Sequence, residues 1–289
     1  MIRSNADLHW CIRSAPLVRA QGNSTLWPDM AWFADLDLPT GIEDLPQPGH
    51  IHHFRLGQHF EQLLFRWILA CRNIQLLESN LQVFDQKRTV GEFDLLVNFC
   101  GQVEHWEVAV KFYLGVGQTH DPGCWYGPNT SDRLDIKLNR LIDHQLQLST
   151  NTFGRETLGR LGIEISNVRC FMKGRLFYPW HQFQANKFES APTFSPNHER
   201  GWWIEETLAP AANIRNAVYL AKRYWLSPIT GAEGLKVMDQ DSLQHFLVRP
   251  ETEQATHIAL VDDLGREISR GFIVKPIWLE RVKAVRDLR

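Results

Sequence analysis

The sequence predicts an α/β protein, and three observations predict it. After Gly57, Phe60, Leu63, Leu64, Trp67, Ile68 and Cys71 recur at helical spacing. Three strand-like runs follow at 74–84, 91–99 and 103–114, with Gly101 marking a tight turn between the last two. A second helical stretch, from about Asp132 to Leu148, precedes another strand-like stretch at 167–178. Helices and strands in that order must cover one another's apolar faces, which gives a layered α/β structure.

In chain order, residues 5–13 suit a short helix, and Gly22 to His53 carries Pro28, Pro39, Pro46 and Pro48 and reads as loops and turns. Glu61 sits at the rim of the apolar stripe of the next helix. The three strands form a meander. Gly115 to Ser131, with four glycines and two prolines, reads as a long loop of the kind often tied to function. On the helix that follows, Leu134, Leu138, Leu141, Gln145 and Leu148 share one face. Arg133, Lys137, Arg140 and His144 share another, either a solvated surface or one that contacts phosphates. Lys173-Gly174 reads as the turn of a hairpin inside 167–178. The polar stretch 184–201 marks a boundary. The expected organisation is therefore 1–54, an N-terminal helix and loops packing on the core; 55–183, the core; and 202–289, a C-terminal α+β region. That last region carries helices at 211–223 and 239–247 and a hairpin over 256–275.

The net charge of −2 gives no global nucleic-acid signature, so any such binding rests on a local patch. Eleven Trp and sixteen Phe read first as core residues and second as stacking platforms. Five cysteines without a CxxC pair read as reduced, buried thiols. With no signal peptide and no apolar run of ~20 residues, the expectation is a soluble cytoplasmic protein without a membrane partner. The oligomeric state is not legible. His52-His53, His59 and His105 lack zinc spacing, and no Walker A, GxSxG or dinucleotide fingerprint occurs.

The chemistry lies in Gly91-Glu92-Phe93-Asp94 and in Glu107-Val108-Ala109-Val110-Lys111. Strand alternation puts Trp106, Val108, Val110 and Phe112 on a core face and His105, Glu107, Ala109 and Lys111 on the other. Asp94, with Glu92 as a competitor on its face, can meet Glu107 and Lys111, and Glu61 arrives from the helix. Such carboxylates suit Mg²⁺ or Mn²⁺, and a lysine beside them can orient water or neutralise developing charge.

In these residues and in its order of elements, over about 55–180, the chain resembles the PD-(D/E)xK nuclease superfamily. The resemblance implies a restriction-endonuclease-like core with a mixed sheet flanked by helices, and a metal-dependent hydrolase acting on nucleic acid. Asp94, Glu107 and Lys111 would be catalytic; Glu61, Asp94 and Glu107 would hold the metal; Arg133, Lys137 and Arg140 would contact nucleic acid. The acid of (D/E)-x-K falls at 109, which is Ala here. Glu107 lies ~6.6 Å away along the strand, so the site needs a bulge near Val108 or a shifted metal, or else has lost activity and serves as a binding module for nucleic acid or a protein. Arg55-Leu56-Gly57-Gln58-His59-Phe60-Glu61, the two runs above and Asp132-Arg133-Leu134-Asp135-Ile136-Lys137-Leu138 also resemble an uncharacterised bacterial family known only as a domain of unknown function.

Overall fold

The computed structural model describes residues 2–19, 26–38, 55–189, 191–249 and 254–287; His52 and His53 lie outside them. The helices are α1 (Ile2–Arg13), α2 (Met30–Asp35), α3 (Leu56–Ala70), α4 (Leu134–Arg140), α5 (Thr152–Arg160), α6 (Trp180–Gln184), α7 (Gln240–Leu247) and α8 (Pro276–Asp287). The strands are β1 (Ile74–Asp85), β2 (Arg88–Phe99), β3 (Gln102–Gly115), β4 (Trp125–Tyr126), β5 (Asn167–Pro179), β6 (Glu199–Glu205), β7 (Ala217–Tyr219), β8 (Val237–Met238), β9 (Ala255–Val261) and β10 (Glu267–Val274). Parallel and antiparallel pairs both occur, so the protein is mixed α/β. The chain forms two compact units, one of residues 1–111, 136–174 and 192–198, the other of 112–135, 175–191 and 199–289. None of the described helices is long and apolar enough to cross a membrane.

In the first unit, β1, β2 and β3 form the expected antiparallel meander. Cys100 (φ 50°) and Gly101 (φ 84°) make the two-residue turn that pairs Phe99 with Gln102. β1 is irregular at two points, Leu76/Glu78 and Val83/Phe84. α3 buries Phe60, Leu63, Leu64, Trp67 and Ile68, the stripe its periodicity predicts. The core beside it is aromatic: Trp106 stacks on Trp67 at 6.1 Å and on Phe171 at 5.5 Å. These rings pack the interior, as the plainer reading of the aromatic load expects. Buried Glu104 takes two hydrogen bonds from Arg169, at 2.7 and 2.8 Å, which compensates a carboxylate removed from water. On the opposite side, Val83, Phe93, Leu96, Leu148 and Leu158 form a second cluster.

Three expectations fail in this unit. Within the stretch read as loops and turns, Asp29 caps a helix, α2, by accepting the Trp32 N–H at 3.0 Å. The stretch 167–178 is one strand, not a hairpin. Gly174 (φ 146°) is a close-approach residue, since a Cβ there would lie 1.7 Å from the Lys111 carbonyl oxygen. Ser166 N–H donates to Val103 O at one end and Gly174 abuts Lys111 at the other, so β5 runs parallel to β3. Lys173 is buried rather than in a turn; its ammonium reaches the Ile12 and Ser14 carbonyls and sits 3.3 Å from the centre of the Phe33 ring. The helix expected from Asp132 to Leu148 is also broken. α4 ends at Arg140 and widens into a π-turn over Leu141–Gln145, closed by Leu146 N–H to Leu141 O at 2.9 Å. Asn151 then caps α5, which the short apolar pattern did not announce.

In the second unit, the end of β5 pairs in parallel with β6, and β6 with β10. β10 and β9 form the expected hairpin, β7 adds to β9, and β8 to β7. Its core holds Trp202, Ile204, Ile214, Ala217, Ile258 and Ile273. The helix expected at 211–223 is absent because Asn213 (φ 52°) and Asn216 (φ 51°) are left-handed and interrupt it; β7 and a 3₁₀ turn stand there instead. The expected loop after Gly115 is partly structured: Asp121 caps a 3₁₀ turn, and buried Trp125 and Tyr126 pair with the end of β3. All five cysteines are free thiols, four buried and Cys100 exposed, the last against expectation.

Candidate functional site

The first unit gathers a polar cluster between β2, β3, α3 and the turn after α4. The β2–β3 ladder ends at Leu95↔Trp106. Continuing that register by one residue sets Asp94 across from Glu107. Where the ladder ends, Asp94 Oδ2 accepts the Val108 N–H at 2.9 Å. Glu107, only 2 % exposed, has the Asp94 carboxyl within hydrogen-bonding reach. It also takes a bond from Gln145 Nε2 at 2.7 Å and contacts His105 Nε2 at 3.0 Å. Gln145 Oε1 in turn accepts Lys137 Nζ at 2.8 Å, so Lys137 is linked to Glu107 through one amide. The π-turn supplies the geometry, because it places Gln145 between the two.

Burial dominates the electrostatics. It pushes Asp94 up to about 7, with Glu107 adding repulsion and the Val108 N–H, His105 and Lys137 opposing it. Glu107 is pushed up to about 7 by burial, against the pull of Lys137 and the hydrogen bond with Asp94. Glu61, half-buried on α3, rises to about 7 through burial and then through Asp94 and Glu92. Burial holds His105 down to about 4, so at neutral pH it is an uncharged donor to Glu107 and their contact is a hydrogen bond, not an ion pair. Lys137 is lowered by burial and by Lys111 beside it.

These shifts fix a sign. Carboxyls with folded pKa values raised above the unfolded ~4 contribute stability that is complete below about pH 4 and is lost as pH rises through about 7. Without divalent cations, the thermal midpoint is expected to fall between about pH 5 and about pH 8, and to fall less in Asp94→Asn. An identical decline in wild type and variant would place its origin elsewhere.

The sequence-predicted residues are thus partly brought together. Asp94 and Glu107 meet, Glu61 faces them, and Lys111 lies half-buried near Lys137. Glu107 lies across from Asp94 without a bulge at Val108, while Ala109 still stands at the acid position of (D/E)-x-K. The single exposed basic stripe does not form. Lys137 is half-buried and bonded to Gln145, Arg133 precedes α4 and grips Asp135 at 2.6 and 3.1 Å, and Arg140 is exposed. Sequence reasoning missed Lys137 and Gln145 as members of the cluster. It also left unused a legible signal: the turn at Cys100-Gly101 pairs 99 with 102, and counting back sets 94 against 107.

Two carboxyls in contact are a hard-oxygen donor pair with excess negative charge, and that chemistry fits Mg²⁺ or Mn²⁺. Among the described residues, no group of three or more His, Cys, Asp or Glu side chains is gathered closely enough to hold a metal ion. Asp94 and Glu107 are the pair on which a cation would rest, with Glu61 raised by the charges of Asp94 and Glu92, and Glu107 by that of Glu92.

A family model described as a domain of unknown function, DUF1853, matches residues 6–274. No curated protein and no solved structure matches the chain.

Proposed function

The chain belongs to the DUF1853 family, a domain of unknown function, and from its site we propose a metal-dependent phosphodiesterase that acts on nucleic acid. The observation that carries this reading is the Asp94–Glu107 carboxyl pair with Lys137 relayed onto it by Gln145. The order of helix, antiparallel three-strand meander, helix and a strand parallel to the third supports a place in the PD-(D/E)xK superfamily.

Asp94 and Glu107 would hold Mg²⁺ or Mn²⁺, with Glu61 as the third carboxylate. A cation there supplies Lewis acidity toward a phosphate oxygen and a more acidic water. His105 and Gln145 fix the Glu107 carboxylate by donating to it. Lys137 supplies positive charge beside the pair, the position that the sequence pattern gives to Lys111, and Lys111 adds to it farther along β3. Arg140, exposed at the end of α4, and Arg133 are the proposed backbone contacts for nucleic acid. The second reading, an inactive module of the same fold that binds nucleic acid or a protein, is favoured by one observation: only two carboxyls are drawn together among the described residues.

The assay is cleavage of labelled single- and double-stranded DNA and RNA with Mn²⁺ or Mg²⁺. Lys137→Met is expected to slow cleavage on the order of 10²-fold, and Lys111→Met by less. The reverse ranking would return the role to Lys111. No cleavage of any substrate would favour the binding module.

A further inference from the structure

The second unit contains a cavity of about 710 Å³ that the proposed nuclease site does not use. Its place follows from the strand directions. β5 ends at Pro179, β6 ends at Glu205, and the two run parallel, so the cavity opens at their carboxyl ends, where parallel strands commonly present ligand crevices. The volume falls in the range of small-molecule sites, ~300–1,000 Å³.

The lining restricts the ligand. Trp180 and Trp203, both half-buried, give planar apolar surface. His181, Gln182, Gln184 and Glu205 supply the polar groups. Gln182 Oε1 is buried without a hydrogen-bond partner, which leaves an acceptor in need of a donor. No Lys or Arg stands among the lining residues, and the Arg286 guanidinium lies behind them, 3.6 Å from where a Cβ on Gly117 would sit. An organic ammonium would suit Glu205, the indoles and the Gln182 oxygen, yet it has no acceptor to offer the NH2 groups of the two glutamines.

A purine matches all of these features. Its faces are apolar and stack on indole, its edge alternates donors and acceptors for amide and carboxylate groups, and it carries no charge. We propose that this cavity is a binding site for a purine base, taken without its phosphate into the pocket.

The test is isothermal titration of the full chain, free of divalent cations, with guanosine, adenosine and spermidine. One nucleoside is expected to bind one per chain. Gln182→Leu and Glu205→Gln, changes at the cavity wall that leave the tryptophans in place, should each weaken it about tenfold. Purine-rich single-stranded oligonucleotides are the further arm: tighter binding than the nucleoside marks a strand as the source of the base, and equal or weaker binding marks a free nucleoside. No saturable heat at millimolar nucleoside, affinity unchanged in both variants, or binding of spermidine alone would overturn the proposal. Because no metal is present and the variants lie outside the carboxyl cluster, the result is independent of whether the chain cleaves phosphodiesters.

Discussion

Asp94→Asn is expected to abolish Mn²⁺ binding measured by calorimetry, and to lower cleavage on the order of 10³-fold or more. Both carboxyls together, rather than one ligand, set the affinity. Asp94 and Glu107 are pushed to about 7 by burial, and for Asp94 the second carboxyl adds to the rise. A divalent cation displaces their protons and relieves their repulsion, so its binding free energy depends on both charges. Asn keeps the size of the side chain and an oxygen for the Val108 N–H but removes one charge, so the fold should survive. Glu107→Gln should behave alike. Wild-type heat of Mn²⁺ binding that persists in both variants would move the metal elsewhere, and its absence in the wild type would leave the binding module.

The largest expected effect on stability comes from Gly174→Ala. A Cβ there would lie 1.7 Å from the Lys111 carbonyl oxygen, and φ at 146° is itself closed to L side chains. Neither strand can yield cheaply, since β5 carries buried Lys173 at this point and β3 carries the site. A loss on the order of 4 kcal/mol or more is expected from urea unfolding, or failure to fold. Gly57→Ala is the control. Gly57 lies in α3 with nothing within 4 Å of its added Cβ, so helix propensity should make the change neutral or stabilising by up to ~1 kcal/mol. Similar losses in the two variants would refute the close-approach argument.

The α3 stripe, the three-strand meander, α7 and the β9–β10 hairpin were readable because each depends on local period and local turns. Asp94 and Glu107 were readable as candidates because charges within apolar strands serve no purpose in packing, and Glu61 because it stands at the rim of the helix stripe and at the acid position that the resemblance implies. Gly174 was misread because a glycine at a turn and a glycine under a neighbouring carbonyl look alike in sequence. The segment 211–223 was misread as a helix because left-handed asparagines, Asn213 and Asn216, leave no mark in an apolar pattern.

The sequence by itself determined the class of the fold, the β1–β3 meander and the pairing of its two carboxyl-bearing strands, since side-chain period and a two-residue turn set which strands pair and in what register. Only the tertiary structure decided that Lys137 is linked to Glu107 through Gln145. That outcome depends on a π-turn widening the chain after Arg140, so that Gln145 bridges residues 30 positions apart. It decided in the same way that Lys173 is buried, because the carbonyls that compensate its charge come from the end of α1 and just beyond it, far away in the chain. Local pattern fixes what a segment prefers; which distant groups satisfy a buried charge depends on packing that no window of sequence contains.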